Sequence, residues 1–164
     1  GTDEKQPGEL PIHLEVFKVR PDVNAVAHFH THNATSFSMS EHDLKPTYFM
    51  ASLLGSHIPI HPDSRLIMDE DRGRAMAETL GPHKAMLLRA HGIVVTGPDI
   101  EEMTTCVFFM EDNARRTAIA ASMGDYEVLG EAEIEEIAQE LLRTRGPIGR
   151  VWALAEMEAA EMDR

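Results

Sequence analysis

Two histidines spaced two residues apart, His28-x-His30, stand at the end of the apolar run Val23-Asn24-Ala25-Val26-Ala27. Strand side chains alternate between faces, so both imidazoles project to one side and can reach the same cation. A neutral imidazole nitrogen suits zinc, manganese, cobalt or iron. Taken alone, the pair also fits two ordinary polar residues at a strand end. A metal site needs a third ligand, and His91 is the best placed: it sits in Arg89-Ala90-His91-Gly92, between two apolar segments, where glycine permits close backbone approach. By itself His91 equally fits a turn. Of the remaining histidines, His13 and His32 are competitors, whereas His42, His57, His61 and His83 lie in polar or proline-flanked segments that read as solvated surface. Three histidine ligands leave a coordination position open, which marks a catalytic rather than a structural metal site. A neighbouring carboxylate outside the ligand set would then supply acid/base chemistry. Glu9, four residues before His13 at a helix start, fits that place, although glutamate there is also a favourable partner of the helix dipole.

These residues need elements to hold them. Ile12, Val16, Phe17 and Val19 put an apolar stripe on a short helix that ends before Pro21, and residues 23–30 read as a buried strand. Residues 47–55 predict a helix closed by Gly55, and 56–62 a short strand or loop. Residues 69–80 predict a helix with acids in its first turn, stopped by Gly81-Pro82. Lys84–Arg89 and Gly92–Thr96 predict two strands meeting at His91. Asp99 is the expected N-cap of a long helix to about Met123, followed by helices over 131–143 and after Gly146-Pro147. Strands alternating with helices make an α/β domain with an α+β tendency.

Composition narrows the partners. The 164 residues amount to one domain, and the net charge of −13 repels phosphate backbones and anionic membrane surfaces, so neither nucleic acid nor membrane is an expected partner. Cys106 is the only cysteine, which excludes an intramolecular disulfide and points to a reducing, cytoplasmic setting. The acidic excess sits mainly in the later helices and leaves residues 13–91 as the histidine-rich, metal-bearing side.

Glu9-x-x-x-His13, then Arg20-Pro21-Asp22-Val23-x-Ala25-Val26-x-His28-x-His30, then Leu87-Leu88-Arg89-x-His91-Gly92 followed by Gly97, resemble the class II aldolase/adducin family in order, spacing and flanks. The likeness runs from Glu9 to the helix near residue 122. It implies a layered αβα fold around a mostly antiparallel sheet, a homotetramer with active sites at subunit interfaces, and one divalent metal ion (Zn, Mn or Co). By position, His28, His30 and His91 would be its ligands and Glu9 the acid/base. Adducin-like members, which are interaction modules, generally lack the full ligand set, so the intact triad favours an enzyme.

The shared chemistry of the enzymes is a metal that stabilises an enolate-like intermediate while a carbon bond breaks. Sugar-phosphate aldolases and epimerases of the family place small hydroxyl residues just before the glutamate, where this chain has Pro7-Gly8; their tyrosine proton donor would fall near Phe49, beside Tyr48. What stands here instead looks more like the branch that decarboxylates hydroxylated aromatic dicarboxylates. In that reading His32, Tyr48 and Arg89 contact the carboxylate substrate, with Arg89 or His32 pairing a second carboxylate. Arg89 fits a surface or intersubunit salt bridge as well, and Tyr48 equally fits helix packing alone. A sugar-phosphate aldolase and a non-catalytic adducin-like module are the competing readings. Family members carry several dozen residues before the glutamate, so residues 1–164 are expected to form a single domain lacking its N-terminal strands, which a separate chain could supply.

Overall fold

Aspartates start two of the helices. Asp69 Oδ1 accepts the Arg72 N–H at 2.9 Å and Asp99 Oδ1 accepts the Glu102 N–H at 2.8 Å, each satisfying a donor that the first helical turn leaves without an intrahelical partner. In the computed structural model, residues 6 and 8–162 are described; the expected lead-in over residues 1–8 lies outside the described residues at 1–5 and 7. The elements run α1 (Leu10–Val19), β1 (Ala25–Phe29), α2 (Asn33–Phe37), a 3-10 helix (Phe49–Leu54), β2 (Ile60–His61), α3 (Glu70–Leu80), β3 (Ala85–Leu88), β4 (Gly92–Gly97), α4 (Ile100–Met123), α5 (Glu131–Thr144) and α6 (Gly146–Met162).

The four strands form one sheet in the order β1-β4-β3-β2. β1 and β3 flank β4 antiparallel, with His28 opposite Val94 and Met86 opposite Val94, while β2 pairs parallel with β3. Period-two alternation divides the strands between two cores. Ala27, Ala85, Leu87, Ile93 and Val95 face α2, the 3-10 helix, α4 and α5. Met86, Leu88 and Val94, joined by Val26, face Ile12 and Val16 of α1 and Met76, Ala77 and Leu80 of α3. The result is a sheet between two helical layers, the αβα arrangement expected from the sequence. The side chain of His28 shares a strand face with Val26, so it emerges on the α1/α3 side, where Glu9 begins α1.

Two local expectations change, and one element is new. The helix over 47–55 contracts to the 3-10 segment, and the 56–62 strand to two residues. Residues 33–37, which carry no helical signal of their own, form α2. Both Oε atoms of Glu111 reach across to its first turn: Oε1 accepts from the Asn33 N–H at 2.9 Å and its side-chain amide at 2.7 Å, and Oε2 from the Ala34 N–H at 2.9 Å. A carboxylate 77 residues away therefore does what a local cap would do.

Candidate metal centre

Glu9, His28, His30 and His91 each bring one ligand atom to within 4.8 Å of the others, and they are the only group of three or more such residues among those described. Three elements supply them: the entry to α1, the end of β1, and the turn between β3 and β4. The three imidazoles form a near-equilateral triangle, with centroids 4.9 Å (His28 to His30), 5.0 Å (His28 to His91) and 5.1 Å (His30 to His91) apart.

His28 Nδ1 lies 2.9 Å from the Ile93 carbonyl oxygen, which can only accept, so Nδ1 carries the proton and Nε2 turns its lone pair toward the cluster. His28 Nε2 and His30 Nε2 are 3.2 Å apart. Ligand atoms about 2.0–2.1 Å from a metal lie about 2.8–3.4 Å from one another in octahedral or tetrahedral geometry, so this spacing fits a shared cation. Both ring nitrogens of His91 are buried without a hydrogen-bond partner, an arrangement that is costly unless an ion takes up a lone pair. The donor set and the unsatisfied nitrogens thus fit a divalent metal held by His28, His30 and His91.

Glu9 divides its two oxygens. Oε1 accepts the Ile67 N–H at 2.9 Å, and Oε2 stands 3.5 Å from the Nε2 atoms of both His28 and His91. Burial, the largest single influence, pushes the Glu9 carboxyl up, but the Ile67 N–H and the facing His91 and His28 rings together hold it below its ordinary value. Desolvation, reinforced by the other two imidazoles, pushes His28 down, against the Ile93 carbonyl and Glu9. The first shift favours the ionised carboxylate that a general base needs, the second the neutral ring that a metal ligand needs.

Gly92 sets the approach of β1. A Cβ at this position would collide with the Phe29 carbonyl oxygen and stand 3.1 Å from both His28 Cε1 and His30 Cδ2. The preceding turn is braced on several sides. Ala90 takes a left-handed conformation at φ 54°, the His91 N–H bonds Leu88 O at 3.1 Å, and the Arg89 N–H bonds His61 O at 3.0 Å.

The other sequence candidates stand elsewhere. Arg89 is exposed, and its Nε donates to Pro62 O at 2.6 Å, so it braces the turn rather than pairing with a carboxylate of this chain. His32 is exposed at the start of α2. Tyr48 packs against α4, with the Arg116 guanidinium 4.7 Å from its ring centre and Phe109 at 6.5 Å. Its buried hydroxyl makes no hydrogen bond, and burial followed by the Asp112 carboxylate pushes the phenol up. His13 is half-buried on α1, His42 is exposed, and His57 pairs with His83 at 4.8 Å. His61, read from sequence as solvated, is instead 5% exposed and bonds Thr79 Oγ1 through Nδ1 at 3.0 Å, because β2 tucks it against α3. Sequence reasoning did not reach the Ile67 N–H or the Ile93 carbonyl, since a backbone group leaves no residue-type signal.

The family profile described as "Class II Aldolase and Adducin N-terminal domain" matches residues 1–118, and the chain belongs to that family. A "3,4-dihydroxyphthalate decarboxylase" of Rhodococcus jostii is 26% identical over 152 residues, covering 89% of this chain and 62% of the relative. "Decarboxylase NovR" of Streptomyces niveus is 36% identical over 91 residues, covering 55% of this chain and 34% of the relative. The chain therefore spans less than two thirds of either relative. Among solved structures, "L-fuculose 1-phosphate aldolase" from Glaciozyma antarctica superposes with a TM-score of 0.80 at 19% identity, covering 98% of this chain and 64% of the other, which establishes a shared fold.

Proposed function

We propose that this chain carries the catalytic centre of a divalent-metal-dependent carbon–carbon lyase that decarboxylates a hydroxylated aromatic carboxylate. The observation that carries the reading is the convergence of three imidazole rings and one carboxylate, with His28 Nε2 and His30 Nε2 3.2 Å apart and Glu9 Oε2 3.5 Å from His28 and His91. The names of the relatives support decarboxylation over other lyase chemistry.

His28, His30 and His91 hold the ion. When bound, a divalent cation supplies Lewis acidity that stabilises negative charge developing on the substrate as the carbon bond breaks. Glu9 enters ionised, because its carboxyl is held below the ordinary value. Its Oε1 is fixed by Ile67, which leaves Oε2 as the oxygen that takes the proton of the substrate hydroxyl. Loss of CO2 leaves an electron pair on the ring carbon, and Glu9 Oε2 returns the proton there. The product leaves as its phenolate, which takes a proton from solvent, and Glu9 is ionised again. His32, Tyr48 and Arg89 are proposed to contact the substrate from outside this cluster. The proposal extends to a single domain over residues 1–164, to Zn, Mn or Co as the ion, and to a cytoplasmic homotetramer. Exposed Phe29 (51%) and Phe108 (42%) support an oligomer. No helix among the described residues is long and apolar enough to cross a membrane.

A sugar-phosphate aldolase is the second reading, favoured by the fold shared with L-fuculose 1-phosphate aldolase. Metal-loaded protein assayed for CO2 release from a panel of ortho-hydroxy aromatic dicarboxylates, and for retro-aldol cleavage of short sugar phosphates, separates the two. Metal-dependent CO2 release supports the proposal. Cleavage of the phosphates alone reverses it.

A further inference from the structure

His91 reaches the cluster from a turn whose preceding residue, Ala90, is held at φ 54°. A non-glycine residue keeps that conformation only where its surroundings fix it. On one side of the turn the fixing groups belong to the adjoining strand: the Arg89 N–H bonds His61 O, and Arg89 Nε bonds Pro62 O. On the other side a single side chain does the work. Ser38 Oγ accepts the Ala90 N–H at 2.9 Å and itself donates to Thr35 O at 2.6 Å. The serine is 6% exposed, and its two partners use its hydroxyl as both acceptor and donor, which fixes the rotor.

Ser38 follows the last residue of α2, and α2 begins three residues after His30. The short helix is therefore tied to both ligand-bearing segments: through the chain to His30 at its start, where Glu111 anchors it, and through Ser38 to Ala90 at its end. We propose that Ser38 is a positioning residue of the metal centre, setting the His91 turn relative to the His28–His30 pair through its hydrogen bond to Ala90. This rests on the metal-centre reading above. The hydroxyl touches no ligand atom in the described hydrogen bonds, so its effect is on how well the three nitrogens are arranged, and groups that orient ligands in this way typically change metal affinity about 10–100-fold when removed.

The test is Co2+ titration, read by the visible absorption of the bound ion, on the wild-type protein, Ser38→Ala and Ser38→Thr, with far-UV circular dichroism and thermal unfolding of each metal-free protein alongside. Expected is a fall in Co2+ affinity of roughly 10–100-fold and an altered absorption envelope in S38A, with a wild-type fold, and recovery to near wild-type affinity in S38T, which restores the hydroxyl. Wild-type affinity and spectrum in S38A overturn the role. So does an S38T protein that behaves like S38A, or an S38A protein that does not fold, because Ser38 would then serve packing rather than the site. A wild-type protein that gives no Co2+ signal overturns the metal-centre reading itself, and the role of Ser38 with it.

Discussion

Glu9 Oε1 accepts the backbone N–H of Ile67 at 2.9 Å, which points the other carboxylate oxygen at His28 and His91. Glu9→Gln keeps an acceptor for Ile67 and removes the carboxylate proposed to carry the proton. Turnover is expected to fall by about 10²–10⁴, the usual contribution of a positioned acid/base, while metal content and unfolding midpoint stay near wild type. Parallel kcat and metal measurements on the variant check this; loss of metal in proportion to activity would make Glu9 a ligand instead.

Gly92→Ala places a methyl against the Phe29 carbonyl oxygen and between the rings of His28 and His30. Backbone cannot retreat as a flexible side chain does, so β1 must move away from β4. Expected is a stability loss of about 1–3 kcal/mol in denaturant titration, accompanied by weakened metal binding. The same substitution at Gly130, where a Cβ meets nothing within 4 Å, serves as the control.

Glu111→Ala withdraws the acceptor from two backbone N–H groups and one side-chain amide at the start of α2. A cost of about 1–3 kcal/mol is expected from the stranded donors, measurable by chemical unfolding. Glu111→Gln retains one acceptor oxygen and is expected to recover part of it.

Much of the site was legible because strand geometry and residue type carry it. The two-residue spacing of His28 and His30 already puts them on one face, and Gly92 beside His91 already signals close backbone approach. Alternating periodicities gave the α/β class, and the family resemblance implied the αβα layering. What was not legible is held by distant partners. Asn33-Ala34-Thr35-Ser36-Phe37 is too short and too rich in hydroxyls to announce a helix, and becomes one because Glu111 reaches it from α4. His61 looks like a surface histidine between prolines until β2 pairs with β3 and packs it under α3. Tyr48 sits in a segment read as helix, yet its placement depends on Thr47 bonding Asn113 Oδ1 from α4 at 3.0 Å through both its N–H and its hydroxyl.

Acid is expected to weaken the metal-free protein. Burial holds His28 and His61 below the ordinary histidine value. The unfolded chain therefore takes up more protons than the folded one once pH drops below about 6.5, and stability falls from there downward, having been fully present above it. Thermal unfolding between pH 8 and 5 reads this directly, and His61→Gln is expected to flatten the slope. A midpoint that rises on acidification would contradict the burial of these rings.

The most direct measurement is the metal stoichiometry of the full protein after equilibrium dialysis against Zn2+, Mn2+ or Co2+, set beside that of His91→Ala. One ion per chain in the wild type, and none retained at the same free concentration in H91A, is the predicted result. A wild-type protein that holds no ion, or an H91A protein that holds it equally well, would contradict the account.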